Sequence, residues 1–283
     1  MTKKLSEKAM LIRQIVSYYD GRKYDKEVSD EIADMRGASK ESGRYNKVLF
    51  SRDALKDLAR IKRECKEYHK SVTLPWDKNL RILNAKGWLD YTQRMKEFKA
   101  EYEVAASEFE RVYPSLVEEA RKTLNGMFKE SDYPSVAEIK TKFHIDVMVM
   151  PMPDAADFRV ALSDSETEEI RASIEQQVND RMGKAIEDVW NRVYEVVKKM
   201  RDVLADADKT IRQSTVDHVR EIVDLLPVLN VTGDPQLDKM AKRIRRSLYG
   251  LDAEDIRKDA NLRERQAKTA DDILNVMAGY IGS

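Results

Sequence analysis

A mainly helical fold is the class this 283-residue sequence predicts: a long antiparallel, coiled-coil-like helical hairpin with a small β-hairpin at its tip, an N-terminal strand and flanking short helices. Three observations predict it. Tyr91, Met95, Phe98, Tyr102, Ala105, Phe109, Val112 and Leu116 recur at mixed spacings of three and four, as do Met182, Ala185, Val189, Val193, Val196, Met200 and Val203. Such spacings put each set on one stripe of a helix, and a stripe needs a partner to bury it. Between the sets, Phe143, Ile145, Val147 and Val149 alternate with His144, Asp146, Met148 and Met150, the period of a strand. Finally, 36% of the residues are charged and 7% aromatic, which suits long solvated helices better than a dense enzyme-like globule.

The elements follow in order. Residues 10–19 are rich in β-branched and aromatic side chains and end at Asp20-Gly21, so they read as a strand closed by a turn. Lys26 to Arg36 reads as a helix with Val28, Ile32 and Met35 on one side and Gly37 at its C-cap. The polar stretch from Ala38 to Tyr45 reads as a loop. Ser51 caps a helix to about Lys70, with Leu55, Leu58, Ile61, Cys65 and Tyr68 inward and Lys56, Arg60, Lys62, Arg63, Lys66 and Lys70 outward. Asp57, Glu64 and Glu67 soften that face, which fits a solvated surface better than a phosphate-binding one. Thr73-Leu-Pro-Trp-Asp77 breaks the helix, and Trp76 reads as an apolar plug between helices.

The first arm runs from about Gly87 to Leu124 and would be roughly 39 Å long as far as Tyr113. Pro114 predicts a kink or a restart, and the capping-box spacing of Ser115 and Glu118 favours the restart. Asp132 to Glu138 opens a short helix with Pro134 near its first position. The strand over 143–150 stops at Pro151-Met-Pro153, and Asp157 to Leu162 reads as its returning partner. Ser163 and the acids after it suit the positive end of the second arm. That arm begins with steps of four at Ile170, Ile174, Val178 and Met182, a drift that implies weaker packing near the tip. Its pattern weakens at 205–208 and resumes at Ile211, a bend or a continuation. Leu226 to Pro235 reads as a connector, Asp234 caps a helix to Tyr249, and 253–280 forms one or two helices. The expected divisions are 1–76, 77–226 and 227–283.

Fifty-one basic residues balance fifty-one acidic ones, so only local patches can point to a nucleic-acid or membrane partner. The single cysteine, Cys65, excludes an intrachain disulfide and reads as a helix-face thiol. No apolar run approaches the ~20 residues that cross a bilayer, and the N-terminus lacks a signal peptide's apolar segment. A cytoplasmic protein with no membrane contact is expected.

No catalytic constellation assembles. His69, His144 and His218 lack metal-ligand spacing, and no Walker loop, glycine-rich cradle or nucleophile elbow is present. No catalytic residue, metal or cofactor is therefore expected. Asp154 and Asp157 could act as paired carboxylates or hold a cation, but turn chemistry explains them as well. The strongest charge feature is Lys239, Lys242, Arg243, Arg245 and Arg246, offset nearby only by Asp238. Such a helix can neutralise phosphates, although no interleaved aromatic offers base stacking and helix C-termini favour cations anyway. Met148, Met150 and Met152, with Asp154 and Asp157 beside them, form a Met-rich stretch that can adapt to a protein partner or fill a core.

Arg22-Lys23, Thr73-Leu-Pro-Trp76, Tyr113-Pro114, Asp132-Tyr-Pro-Ser135, Asp157-Phe-Arg-Val160 and Leu226-Pro-Val-Leu-Asn230 together resemble an uncharacterised helical family of tailed phages and some bacteria. The resemblance runs over most of the chain and supplies no functional residue. Members found near MoxR-type AAA+ ATPase genes imply a partner role beside such an ATPase, in the host cytoplasm if the protein is phage-encoded. Three functions are thus in view: a non-enzymatic assembly or adaptor protein that self-associates, a nucleic-acid-handling accessory using the basic helix, and an inhibitor of a host enzyme using the Met-rich tip.

Overall fold

The computed structural model describes residues 5–158, 160 and 162–280. In chain order they form α1 (Leu5–Lys8), β1 (Ala9–Ser17), β2 (Arg22–Tyr24), α2 (Lys26–Arg36), β3 (Asn46–Val48), α3 (Lys56–Ser71), β4 (Leu74–Pro75) and β5 (Arg81–Asn84). There follow α4 (Trp88–Leu124), α5 (Val136–Thr141), β6 (His144–Pro151), α6 (Asp164–Ala205), α7 (Gln213–Leu229), α8 (Pro235–Ser247), α9 (Ala253–Lys258) and α10 (Ala260–Met277). The protein is mainly helical, with a small sheet of order β4-β5-β1-β6 and a separate β2-β3 ribbon. It divides into two compact units, one of Met1–Arg13, Lys70–Tyr91 and Val149–Ser283, the other of Gln14–His69 and Thr92–Met148.

The first unit is built on α6. Its helix opens on a capping box, in which Ser163 Oγ accepts from the Glu166 N–H while the Glu166 carboxylate accepts from the Ser163 N–H. Met182, Ala185, Val189, Val193, Met200 and Leu204 are buried along its stripe, and Trp190 and Val197 widen it. The helices that cover this stripe are α10 above all and then α7. Ile170, Ile174 and Val178 are only half-buried, as the drift in their spacing predicts. Where the pattern weakens, the chain breaks and α7 starts afresh at Gln213. Arg263 on α10 secures that break: its guanidinium donates to the carbonyls of Val203 (2.9 Å), Leu204 (2.9 Å), Asp206 and Lys209 (3.0 Å). Val203 and Leu204 supply last-turn carbonyls that the helix itself leaves without partners, and Asp206 and Lys209 lie in the turn beyond it.

Arginines serve other turns of this unit in the same way. Arg192 donates to the carbonyls of Lys70, Ser71 and Thr73, each at 3.0 Å, and Arg220 donates to those of Tyr249 (2.9 Å) and Leu251 (2.7 Å). The sheet begins here. β5 pairs antiparallel with β1 (Leu11 opposite Ile82) and with β4 (Leu74 opposite Ile82), sending Leu11, Leu74 and Ile82 into the α6 core. Trp76, 7% exposed, is part of that core, in line with its reading as a plug.

The second unit is organised by most of α4. Met95, Phe98, Tyr102 and Phe109 are buried as their spacing predicts; beyond Phe109 the buried line moves to Tyr113 and Ala120, leaving Val112 and Leu116 half-buried. The core is aromatic. Phe109 packs 5.4 Å from both Phe50 and Phe143 by ring centroids and 5.7 Å from Tyr113. Buried tyrosine hydroxyls need acceptors. Tyr102 donates to Ser17 O (2.8 Å), Tyr113 to Pro134 O (2.9 Å) and Tyr133 to Leu49 O (3.1 Å). The inner stripe of α3 adds Leu58, Ile61 and Cys65, with Leu55 just ahead of it.

Several expectations need correction. α4 does not restart at Pro114; the Ser115 hydroxyl donates back to Val112 O (2.7 Å) instead of capping a new helix, and burial of Tyr113 and Ala120 on either side holds the helix through the missing amide. Pro134 precedes the N-cap rather than following it, because Ser135 forms the capping box with Glu138. α7 likewise runs through Pro227, so the connector is only 230–234.

Among the described residues, no returning strand follows β6. β6 takes β1 as its neighbour in the sheet. Pro151 is the last residue of β6, Pro153 cannot extend the ladder, and Asp154 Oδ1 accepts from the Ala156 N–H (3.0 Å) to start a 3-10 turn at Ala155–Asp157. Phe158, Val160 and Leu162 carry no strand, while Arg159 and Ala161 of the expected returning strand lie outside the described residues. No described helix is long and apolar enough to cross a membrane.

Candidate functional site

The basic helix α8 is the sequence-predicted feature that the structure resolves best. Asp234 caps it, its carboxylate accepting from the Gln236 N–H (2.8 Å), and Asn230 braces the cap by accepting from the Asp234 N–H (2.7 Å) and donating to Asp238 (2.9 Å). Leu237, Met240 and Ile244 then fall on one face and enter the core. At 3.6 residues per turn this forces Lys239, Lys242, Arg243 and Arg246, spaced i, i+3, i+4 and i+7, onto one stripe of the opposite face. All four are exposed and make no ion pair among the described residues.

Arg245 differs from them. It lies off the stripe, 2.6 Å from Asp224 Oδ1, with its guanidinium 4.8 Å from the centre of the Tyr249 ring. The Tyr249 hydroxyl donates to the other oxygen of the same carboxylate (2.9 Å). Arg245 is therefore neutralised within the unit. The four remaining cations span about 10 Å along the helix and leave a local positive field on a chain of zero net charge.

The Met-rich stretch is divided in its surroundings. Met152 is 3% exposed and belongs to the α6 core, so it is a packing residue and not a contact for a partner. Met150 packs half-buried against the same core, whereas Met148 is 46% exposed. Asp154 is the cap of the 3-10 turn and lies 3.4 Å from the Ser6 hydroxyl, while Asp157 is exposed within that turn. The structure thus gives both aspartates turn roles.

The histidines stay dispersed among different elements: His69 is buried at the end of α3, His144 is exposed with Nδ1 3.4 Å from Thr141 O, and His218 is exposed on α7. No group of three or more His, Cys, Asp or Glu among the described residues is arranged to hold a metal ion. Cys65 is fully buried; its thiol lies 3.9 Å from Met95 Sδ, and burial pushes its pKa up to about 12, far from the range of a reactive thiolate.

One charged cluster escaped the sequence reading. Lys47 on β3 is 2% exposed; its Nζ donates to Met127 O (2.9 Å) and forms ion pairs with Asp132 Oδ2 (2.6 Å) and Asp25 Oδ2 (3.0 Å). Hydrogen bonding to Lys47 is the main cause that holds the Asp25 carboxyl below its ordinary value. Burial alone would depress the Lys47 ammonium, but its bonds to Asp132 and Asp25 outweigh that and raise it. The only local sign was an isolated lysine in a short apolar run, Val48-Leu49-Phe50 following it.

No family model matches the chain, and neither a curated protein nor a solved structure matches it.

Proposed function

We propose that this protein is a non-enzymatic accessory that contacts nucleic acid through α8. The observation that carries the reading is the stripe of Lys239, Lys242, Arg243 and Arg246, exposed and without ion pairs among the described residues, beside an Arg245 that Asp224 neutralises. Cations already paired within a fold have little to offer a phosphate; these four remain available to release counterions from a nucleic-acid backbone. Without an aromatic among them, the contact is to phosphate and carries no base readout.

The test is fluorescence polarisation with single- and double-stranded DNA at two salt concentrations. Four phosphate contacts give a slope of log K against log salt of roughly −3.6 on duplex DNA. Lys242→Glu with Arg243→Glu should abolish binding and leave folding intact, since both side chains point to solvent. No binding at low salt, or binding indifferent to the double reversal, refutes the reading.

A second reading, an assembly or adaptor protein, is supported by a separate observation. Met148 and Val149 on β6 are each 46% exposed, and Val160 and Leu162 beyond it are 56% and 44% exposed. Apolar side chains left in water on a strand and the segment after it favour a protein partner. The resemblance to the phage-borne family adds an AAA+ ATPase as the class of partner, with a host protein or a second copy as the other occupants. Light scattering on the purified chain and pull-down with Met148→Ser/Val149→Ser decide this: a monomer that captures nothing the variant loses removes it.

A further inference from the structure

A cavity of about 380 Å³ opens in the second unit between the end of β1, the start of β2 and the segment around α5. This is within the size range of small-ligand sites, roughly 300–1,000 Å³. Its acids are already committed. Asp132 is held by the buried Lys47 at 2.6 Å, and the Glu138 carboxylate accepts from the N–H (2.8 Å) and hydroxyl (2.9 Å) of Ser135. Just outside, Asp20 accepts from the backbone N–H of Arg22 (3.1 Å).

Arg22, Lys23 and Lys142 line the cavity and form no ion pair among the described residues. Tyr19 and Ser131 line it too, with hydroxyls that have no hydrogen-bond partner among the described residues. The Tyr19 ring is fixed from behind by Phe50, 6.0 Å between centroids, so its position is set by the core while its hydroxyl stays open. Lys62 adds a further cation at the margin, its Nζ 3.8 Å over the ring of Tyr18, which also lines the cavity.

We infer that this cavity binds a small phosphate-bearing molecule, with Arg22, Lys23 and Lys142 neutralising the phosphate and the hydroxyls of Tyr19 and Ser131 donating to its oxygens. Arg22, Lys23 and Lys142, with Lys62 at the margin, outnumber the charged Glu138 and Asp20 carboxylates, Asp132 being met by Lys47, and this excess of cations favours an anionic guest; guanidinium with hydroxyl donors is a phosphate-recognising set. The buried Lys47 ties β3 to Asp132 and so fixes one wall of the cavity. Free phosphate and a phosphate ester share this chemistry, and the experiment separates them.

The test is isothermal titration of the full chain, at low and constant ionic strength, with inorganic phosphate and separately with adenosine monophosphate. Saturable binding of either is expected, and Arg22→Ala with Lys142→Ala should weaken it at least tenfold, about 1.4 kcal/mol. Tighter binding of the nucleotide identifies an ester as the ligand; equal binding identifies the phosphate group alone. Tyr19→Phe keeps the contact with Phe50 and should weaken binding several-fold, so it carries the test with Lys23→Ala if the double variant does not fold. Lys242→Glu with Arg243→Glu on α8 should leave phosphate binding unchanged, which separates this site from the proposed nucleic-acid contact. No saturable heat from either ligand, or affinity unmoved by the cavity variants, overturns the inference.

Discussion

Replacing Lys47 by methionine keeps most of the buried stem and removes the charge, which leaves Asp25 and Asp132 facing each other without a cation. Asp25 is 5% exposed and the Asp132 side chain 9%, so water cannot take over the role of the ammonium. Removing one partner of a buried ion pair costs about 3–5 kcal/mol, and here two carboxylates and the Met127 carbonyl lose their donor together. A loss of about 4 kcal/mol is a large share of the 5–15 kcal/mol that holds a typical domain. Its pH dependence follows from the two shifts. Asp25 sits below its ordinary 3.8, so its contribution is present above 3.8 and disappears as pH falls through the lower folded value. Lys47 sits above its ordinary 10.5, so its contribution is present below 10.5 and disappears as pH rises through the higher folded value. The difference between wild type and Lys47→Met should therefore be flat at neutral pH and shrink at both extremes. Trp76, Trp88 and Trp190 all belong to the other unit, so urea unfolding should be followed by the near-ultraviolet dichroism of tyrosine. A loss under about 1 kcal/mol at pH 7, the value of an exposed pair, or one that persists unchanged in acid, refutes the reasoning. Adding Asp25→Asn and Asp132→Asn to Lys47→Met should recover part of the loss.

Gly21→Ala should destabilise the second unit by about 3 kcal/mol in the same assay, because Gly21 has φ +65° and an added Cβ would stand 2.5 Å from Phe50 Cε2, a ring wedged against Phe109 and Tyr113. A loss below about 1 kcal/mol would show that Phe50 yields freely. Arg263→Lys should cost about 2 kcal/mol and speed hydrogen exchange around 203–210, since one ammonium cannot serve the four carbonyls the planar guanidinium reaches; unchanged exchange there would refute it. The Cys65 thiol should react with a disulfide reagent in neutral buffer only as fast as the unit opens, and labelling at the rate of the urea-unfolded chain would contradict its burial.

Local chemistry was legible wherever a residue's role depends on its near neighbours in sequence. Lys26–Arg36 with Gly37 at φ +62°, Ser163 and the acids at the start of α6, Asp234 before Pro235 and the outward cations of α8 all follow from spacing within one or two turns. Misreadings arose where short-range rules met long-range burial. Pro114 carries a strong breaking signal, yet the aromatic core on either side of it keeps α4 continuous. Arg81–Asn84 and Arg22–Tyr24 are strands too short to show a period, and they exist because β1, β4 and β3 offer them ladders. Nothing in the local sequence marks Arg192, Arg220 or Arg263, because whether each reaches a turn's carbonyls depends on residues 29 to 122 positions away.

The sequence by itself determined that this protein is mainly helical, where its longest helices lie and which stripe of each is apolar, because helical periodicity and capping are properties of neighbouring residues. Only the tertiary structure decided what covers those stripes: α10 and α7 for α6, and an aromatic core for α4. An apolar stripe specifies that it must be buried but not by what, since the hydrophobic effect is non-directional. The same holds for charge: sequence supplied Lys47 and the cations of α8 alike, and burial alone separated a lysine locked between two aspartates from four that remain open to solvent.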